Sequence, residues 1–457
     1  MRLAQSFSRS TAGVLLAAFL FPAAGHAGGY SGFLEVYREA AQADPRLRGQ
    51  ELELRALSED RREQFGALLP SVTLTGDVNR TRRDQTSSGM AGEEEIRRTF
   101  TREHYAVELV QPLFDLPAWY GYRRSETQVD EGRAQVEGAR QELVMNVAAG
   151  YLGMLSAQSD LELSERELEA IEASFDRVEA LFDEGMAAIT DVEELRAERD
   201  SARAAIVRAE GQLQIARERL AEVTGTRYRQ LAGLRPDAEL PAPDPDDPSH
   251  WVETALAHSP EIQALHHQME GLQLEGRQTR AQGYPSVRLV AGYSRMDELD
   301  GTQFGRRFDD AALGVEVRVP LYQGGSVRAG TNAAGYRRDR ALESLEEARR
   351  GVTADVRAAY EGIRSGRSQI SAFRQAVRSG ERSVEAMEAG VEEGRRTAAD
   401  LIDAQRDLFE SRRDLAQSRY EYLENMIALQ VHAGLIDDDE VRDLDRLFVG
   451  AEPASNP

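Results

Sequence analysis

Two residue types are missing from this chain of 457 residues, and each absence excludes a group of chemistries. All 56 basic residues are arginine, because the sequence contains no lysine, and it contains no cysteine. A P-loop needs its lysine, a Schiff base needs an amine, and disulfides, thiolate metal sites and thiol nucleophiles need cysteine. These functions are therefore excluded, and we expect no lipid anchor on an N-terminal thiol.

Basic residues are also outnumbered by acidic ones. The chain has 79 acidic residues and a formal net charge of -23, whereas binding to nucleic-acid phosphates requires local positive potential. We therefore predict no nucleic-acid partner. A hydrophobic content of 41% nevertheless predicts a folded protein.

Long apolar runs are rare as well. The run at 12–21 follows Arg2 and Arg9 and precedes "PAAGHA", an order that predicts a secretory signal peptide over 1–27 rather than a buried helix. The rest of the sequence has no apolar run near the roughly 20 residues that a membrane helix needs. We expect an exported chain, which could enter a membrane only through β-strands.

Helical periodicity covers most of what remains. It runs over 30–68, 118–182 and 190–224, and the second of these would be roughly 100 Å long as one unbroken helix. Helices of this length pack as coiled coils or staves, not inside one globular core. A Pro/Asp-rich linker follows at 235–250.

Four shorter segments alternate between apolar and polar residues. These predicted strands lie at 70–80, 104–114, 285–296 and 311–322, with a polar loop at 84–98 between the first two. The last strand has the clearest apolar face, formed by Leu313, Val315, Val317, Val319 and Leu321. This alternation is typical both of transmembrane barrel strands and of a soluble antiparallel sheet that covers a core.

Four strands cannot close a barrel, and hydrocarbon does not tolerate an open sheet edge. A membrane-spanning chain of this kind must therefore oligomerise. Two copies would supply eight strands, whose interior is filled by side chains, while three copies would supply twelve and leave a lumen. A pore therefore predicts a homotrimer.

The second half of the sequence repeats the first. "LPSVTL" recurs as "YPSVRL" 215 positions later. A tyrosine, a glycine and an aspartate recur 209 positions later, as Tyr151/Tyr360, Gly185/Gly394 and Asp191/Asp400. Offsets that hold over whole segments indicate a tandem duplication. We expect the repeats at 28–234 and 251–434, separated by the linker at 235–250 and followed by a tail at 435–457.

Several motifs follow one another along the chain: "QPLFDLPAW", "FDEGMAAITDVEELRAERD", "VTGTRYRQLAGL", "VPLYQGGSV" and "EEGRRTAADLIDAQRD". In this order, and with the duplication, the sequence resembles the TolC family of outer-membrane channel-tunnels. The likeness covers nearly all of the chain after the predicted signal peptide.

The resemblance implies a mainly α fold with transmembrane β-strands. In a homotrimer, four strands per protomer would form a 12-stranded barrel, continuous with a periplasmic α-barrel of helices about 100 Å long. The implied partners are outer-membrane lipid, a periplasmic adaptor (membrane fusion) protein and an inner-membrane transporter of the ABC or RND type. The implied function is a duct for type I protein secretion or small-molecule efflux, with no enzymatic activity and no cofactor. The competing hypothesis is a periplasmic coiled-coil scaffold without a pore.

The stretch "EEGRRTAADLIDAQRD" contains the candidate site. Thr397 and Asp400 fit a capping box, so Asp400 could simply start a helix, and Asp403, one turn further on the same face, could simply be solvated. The resemblance implies instead that both aspartates point into the lumen. Three copies would then form two carboxylate rings that select cations, and crowding of the charges would raise some of their pKa values.

The resemblance also implies a latch at the same end of the helices. Arg396 and Asp191 match family positions that hold neighbouring helices together, and Thr190 lies beside them. The T-x-x-E pattern at Thr190 also predicts that this residue caps the following helix. Where the family prototype has a tyrosine in the latch, this chain has Val391, which cannot donate a hydrogen bond, and Arg395 could compensate.

Three further features carry weaker signals. His266 and His267 look like a metal-binding pair, but adjacent helix residues point about 100° apart, so we predict no metal site. Paired carboxylates would suit a glycosidase, but a 7% aromatic content offers no sugar-stacking cleft. Trp119 suits either an aromatic girdle at a membrane interface or ordinary packing.

Overall fold

The computed structural model describes residues 30–89, 92–235, 238–299, 306–436 and 438–448, so the predicted signal peptide lies outside the described residues. The helices are α1 (Phe33–Ala43), α2 (Pro45–Gly66), α3 (Leu116–Asp183), α4 (Ile189–Thr224), α5 (Pro248–His258), α6 (Pro260–Ala281), α7 (Ser326–Glu392), α8 (Ala398–His432) and α9 (Asp438–Asp445). The strands are β1 (Ser71–Gly89), β2 (Gly92–Phe114), β3 (Ser286–Leu299) and β4 (Arg306–Arg318).

Long helices dominate the fold, as predicted. α3 and α7 contain 68 and 67 residues, and each folds back along a partner, α4 or α8, of about half its length. At 1.5 Å per residue, α3 is about 100 Å long. None of the helices in the described ranges combines the length and the apolar composition that crossing a membrane requires.

The helix predicted at 30–68 is wrong as a single element. It is broken at Asp44, where α1 ends and α2 begins with Pro45. Proline has no N–H to continue the helix, and the Asp44 carboxylate accepts a hydrogen bond from the Leu47 N–H at 2.6 Å instead. The second repeat breaks in the same way, because Ser259 caps α6 ahead of Pro260.

The four strands form one antiparallel sheet in the order β1-β2-β3-β4. The central pair, β2 and β3, joins the two repeats, with Val107 opposite Tyr293. Helices enter and leave the same end of the sheet, since α2, α3, α6 and α7 adjoin its strands in the chain. The sheet therefore lies at one end of the helices.

Two strand boundaries differ from the prediction. The loop predicted at 84–98 is wrong, because β1 and β2 continue their ladder as far as Gly89 opposite Gly92. Backbone pairing maintains this polar hairpin although its apolar alternation has ended. At the other edge, β4 ends at Arg318, so the predicted strand residues Val319 and Leu321 lie beyond it. Pro320 between them has no N–H to donate to a ladder.

The largest core cluster lies midway along the helices and includes the C-terminal segment. Phe448 packs with ring centroids 5.1 Å from Tyr151 and 6.3 Å from Phe33. Asp445 of α9 accepts a hydrogen bond from the Leu34 N–H at 3.0 Å. The described part of the predicted tail therefore completes the core of the first repeat.

Candidate functional site

The two faces of the sheet differ chemically in the half nearest the helices, whereas charged pairs occupy both faces nearer the hairpin ends, as Asp297 with Arg307 does on the face of Tyr293. Directly opposed residues of a ladder lie on the same face, and Leu74, Val107 and Tyr293 oppose one another across β1, β2 and β3. Apolar side chains on all four strands thus form one band: Val72, Leu74, Val78, Tyr105, Val107, Leu109, Tyr293, Leu313, Val315 and Val317. Leu74 is 73% exposed and Leu313 is 76% exposed. An exposed apolar band of this kind marks contact with lipid or with another protein.

The opposite face of the sheet is polar and carries ion pairs and a hydrogen bond between neighbouring strands. The ion pairs are Arg102 with Glu298 at 3.0 Å and Arg288 with Glu316 through bonds of 2.9 and 2.8 Å, and the hydrogen bond joins Asp77 to His104 at 2.9 Å. Removing charged groups from water costs much free energy, so groups like these are expected where water can reach them. This face therefore suits the wall of an aqueous channel.

The two outer strands of the sheet are edges. Within the described ranges, β1 pairs only with β2, and β4 pairs only with β3. Each edge presents unpaired N–H and C=O groups that must be satisfied by water or by another strand.

At the far end of the helices lie two matched turns, between α3 and α4 and between α7 and α8. Gly185 and Gly394 adopt left-handed φ angles of 76° and 64°. The residue after each glycine donates its N–H to a carbonyl in the last turn of the helix at 2.8 Å, from Met186 to Leu181 and from Arg395 to Gly390. The tandem duplication is thus visible in the backbone, and we call this end the tip.

The two turns differ in how they cap the next helix. Before α8, the Asp400 N–H donates to the Thr397 hydroxyl at 3.2 Å, and the Thr397 N–H donates to the Asp400 carboxylate at 3.1 Å. The capping box predicted there is confirmed. The cap predicted at Thr190 is wrong, because α4 begins one residue earlier, after Ala188. Ala188 is the position that matches Thr397, and its side chain has no oxygen to accept a bond.

Asp400 is held by its cap. Hydrogen bonding from the Thr397 backbone and side chain, helped by Arg396, lowers the pKa of the Asp400 carboxyl below its usual value. The rise in pKa predicted from crowded carboxylates requires three copies of the chain, so it stays a prediction. In a single chain, Asp400 is an anion at neutral pH.

Asp403 projects further from the protein than Asp400. Its side chain is 72% exposed, and its carboxylate lies 3.3 Å from Arg406. Arg406 also pairs with Glu198 of α4 at 2.9 Å, so it links α8 to the neighbouring hairpin. Sequence reasoning missed Arg406, although its spacing of three residues from Asp403 is a signal for a helical ion pair.

The structure does not join the predicted latch residues within one chain. Arg396 lies 4.0 Å from Asp400, and among the described ion pairs it has none with Asp191. Arg395 pairs with Glu393 at 3.1 Å, and Val391 is buried. A contact between Arg396 and Asp191 would therefore have to form between neighbouring copies, and it stays a prediction.

Buried polar contacts join the two hairpins just behind the tip. The Gln405 amide donates to the Ser174 hydroxyl at 3.0 Å, and both residues are buried. Arg413 of α8 pairs with Glu167 and with Asp160 of α3. No local sequence pattern predicts these partners, because residues more than two hundred positions apart meet only through the packing of α3 on α8.

Two remaining sequence features have defined positions. His266 and His267 both approach Glu270, at 3.9 and 3.4 Å. Trp119 is 47% exposed beside the sheet, with its ring centroid 6.1 Å from that of Tyr122. Packing by Trp119 is therefore present, and a role at a membrane interface stays a prediction.

Comparison with known proteins identifies the family. The profile of the outer membrane efflux proteins matches residues 36–226 and 251–435, which together make up most of the chain. The chain belongs to the outer membrane efflux protein family. The two matched segments agree with the tandem duplication.

The relatives of this outer membrane efflux protein include secretion proteins and channels. It is 27% identical over 424 residues to the alkaline protease secretion protein AprF of Pseudomonas aeruginosa, covering 92% of this chain and 88% of AprF. It is 28% identical over 414 residues to the outer membrane protein TolC of Vibrio cholerae, covering 90% and 92%. Among solved structures, the outer membrane protein VceC of Vibrio cholerae superposes with a TM-score of 0.77 at 16% identity, covering 88% of this chain and 96% of VceC.

Family membership and the shared fold confirm the TolC-like architecture, with long helices and a four-stranded sheet in each chain. They also confirm that the protein resides in the outer membrane and serves as an export channel. The family is one of channel proteins, not of enzymes.

Proposed function

We propose that this chain forms, as a homotrimer, the outer-membrane duct of an export system that spans both membranes. The observation that carries the proposal is the sheet, which has one exposed apolar face, one charged face and two open edges. Three copies would close twelve strands, with the apolar band toward lipid and the ion-paired face toward a lumen. The helices would continue this lumen into the periplasm.

The proposed organisation of the chain follows the duplication. A signal peptide at 1–27 is removed on export, repeats at 28–234 and 251–434 each supply two strands and two long helices, and the segments at 235–250 and 435–457 lie around the middle of the helices. Packing of Phe448 against Tyr151 supports this position for the last segment.

The tip would be the gate of the duct. Asp400 and Asp403 from three copies would form two carboxylate rings that select cations. Asp191, Thr190 and Arg396 would hold neighbouring tips together in the closed state, without the hydrogen bond that Val391 cannot donate. The side chains of Asp403 and Asp400 are 72% and 41% exposed, so both are accessible to neighbouring copies, which supports this arrangement.

The proposed partners are a periplasmic adaptor protein and an inner-membrane transporter of the ABC or RND type. The names of the relatives support both kinds of cargo, since AprF is a protease secretion protein and BepC of Brucella suis is an outer membrane efflux protein. Cargo would pass from the transporter to the outside without release into the periplasm.

Fractionation tests the duct against the alternative of a periplasmic scaffold. The duct is expected in the outer-membrane fraction as a trimer that dissociates on heating in detergent. Recovery of a soluble monomer from the periplasm would favour the scaffold and contradict the duct.

Conductance across a planar bilayer tests the carboxylate rings. Replacing Asp400 and Asp403 together with alanine should abolish cation preference, because the charges that attract cations at the constriction are removed. The matched control replaces Asp439 and Asp443 of α9, which are 76% and 70% exposed, and should leave selectivity unchanged. Selectivity retained in the Asp400/Asp403 variant would show that these residues do not form the rings.

A further inference from the structure

α3 of the first repeat and α6 of the second pack against each other in opposite directions near the sheet. Gly271 lies against the Thr127 hydroxyl, and Gly138 lies against Pro260, so each step along α3 is matched by an equal step back along α6. In this register Glu131 of α3 stands level with His267 of α6.

On α6 itself, two imidazoles converge on one carboxylate. The Nδ1 atoms of His266 and His267 lie 3.9 and 3.4 Å from the two carboxylate oxygens of Glu270. The ligand atoms of the three residues lie within 4.8 Å of one another. Their side chains are between 31% and 49% exposed, which gives an ion access from solvent.

The two carboxylates of this cluster lack the arginine partners that a neighbouring glutamate has. Five residues further along α6, Glu275 is bound by Arg124 at 3.2 Å and by Arg337 at 2.7 Å. Across the described ranges, by contrast, no arginine lies within ion-pair distance of Glu131 or Glu270. Among the described contacts, Glu131 accepts a Gln135 amide hydrogen bond at 3.3 Å. A cation at this position would satisfy both carboxylates.

We propose that His266, His267, Glu270 and Glu131 form a binding site for a divalent transition-metal ion of the zinc class. Such ions take imidazole nitrogen and carboxylate oxygen ligands in a tetrahedral arrangement at about 2.0–2.2 Å. Tetrahedral ligand atoms stand about 3.4 Å apart at that bond length, so His266, His267 and Glu270 need only small side-chain shifts, and Glu131 would swing in from the facing helix as the fourth ligand. Hard ions such as Mg²⁺ prefer oxygen ligands and fit the imidazole pair poorly.

This inference differs from the sequence prediction for a physical reason. The histidine pair alone diverges on the helix, and that geometry argued against chelation. In the structure, both imidazoles lie near the Glu270 carboxylate, at 3.9 and 3.4 Å. Glu131, which belongs to the other repeat, stands level with His267. A bound ion would tie α3 to α6 and so join the two repeats close to the sheet. The site is complete within one chain and does not depend on the trimer.

Isothermal titration of the purified full-length chain in detergent tests the site, with zinc chloride as the probe and no added histidine tag. An excess of magnesium chloride and a background with both Asp400 and Asp403 changed to alanine remove binding at the tip. We expect one zinc ion per chain. Changing His267→Gln or Glu131→Gln should weaken zinc binding by about tenfold or more, because each removes a ligand.

The matched control is His258→Gln, which changes an exposed histidine on the neighbouring α5 and should leave zinc binding unchanged. Circular dichroism establishes that each variant is folded. X-ray absorption at the zinc edge should show two imidazole ligands in the parent chain and fewer in the His267 variant. Equal zinc affinity in the parent, the His267→Gln and the Glu131→Gln chains, or magnesium displacing zinc at similar concentrations, would overturn the proposal. Neither result would bear on the duct.

Discussion

Tyr151 of the first repeat and Tyr360 of the second occupy matched positions, but their hydroxyl groups meet different partners. Tyr151 is fully buried and donates to the backbone carbonyls of Ala232 and Ser31, at 2.8 and 3.2 Å. Tyr360 donates to the carboxylate of Asp246 in the exposed linker, and this bond raises the pKa of its hydroxyl to about 12. In both repeats a buried tyrosine fastens a passing segment to a long helix, yet only Tyr151 has buried partners, since Asp246 is exposed.

The C-terminal segment accounts for this difference. Phe448 covers the edge of Tyr151, and the bridge between Leu234 and Phe448 holds that segment in place. The second repeat instead buries Tyr360 in the core cluster that contains Trp251 and Val252 of α5, and its hydroxyl partner lies in the exposed linker. The comparison teaches that a duplication preserves helices and turns, while the partners of matched residues are decided by segments that have no duplicate.

The largest effect should separate the two tyrosines. Tyr151→Phe leaves the buried Ala232 carbonyl without this donor, while the Ser31 carbonyl still accepts the Ala232 N–H, and should reduce the free energy of unfolding by about 1–3 kcal/mol. Tyr360→Phe should cost less, about 0.5–1.5 kcal/mol, because water can solvate the exposed Asp246 carboxylate instead. Denaturant unfolding in detergent measures both. Equal losses of unfolding free energy in the two variants would contradict the difference between the two repeats.

The turn glycines should instead behave alike. Gly185→Ala and Gly394→Ala place a side chain in a left-handed conformation and should each cost about 1–2 kcal/mol. An added Cβ meets nothing within 4 Å at either position, so the backbone alone decides the cost. Gly211→Ala, in the interior of α4 and equally uncrowded, serves as the control and should be stabilising. The unfolding midpoints of the three variants measure this, and a loss at only one turn would contradict the structural equivalence.

The caps should respond in opposite directions. Thr397→Ala removes the oxygen that caps α8 and should destabilise its first turn by about 1 kcal/mol. Ala188→Ser introduces such an oxygen before α4 and should stabilise that turn by a similar or smaller amount. Hydrogen exchange of peptides from the two tips, followed by mass spectrometry, measures each change. No slowing of exchange in the Ala188→Ser chain would show that the α4 turn cannot accommodate a cap.

The smallest effect concerns pH. Because the folded pKa of Asp400 lies below its unfolded value, the carboxylate stabilises the α8 turn above pH 3.8, and this stabilisation is lost as the pH falls through the folded pKa. Protection of the α8 turn against hydrogen exchange, corrected for the intrinsic rate, should therefore fall in that acidic range. The Asp400→Asn chain is the control and should lack this step. An identical profile in both chains would assign the step to another group.

Much of the fold could be predicted because it rests on local patterns. Periodicity located the long helices α3 and α4 to within two residues at each end, and alternation located all four strands. The break before Pro45 and the extension of β1 to Gly89 were missed. The helix break depends on the single N–H that Pro45 lacks. The extension of β1 depends on backbone pairing, which a polar sequence does not reveal through alternation.

The candidate site was predicted less completely. The capping box at Thr397 follows from a four-residue pattern, whereas the failure of Thr190 as a cap depends on where the preceding turn places the start of α4. Arg406 bridges Asp403 and Glu198 only because α8 packs beside α4.

The sequence by itself determined the exclusion of lysine and cysteine chemistry, the duplication, the long helices and the two-faced strands, because composition and spacing are properties of the chain alone. Only the tertiary structure decided that the C-terminal segment seals Tyr151 and that Glu131 faces His267. Such contacts join residues far apart in the sequence. Their partners are fixed by the register of packed helices, which no local pattern encodes.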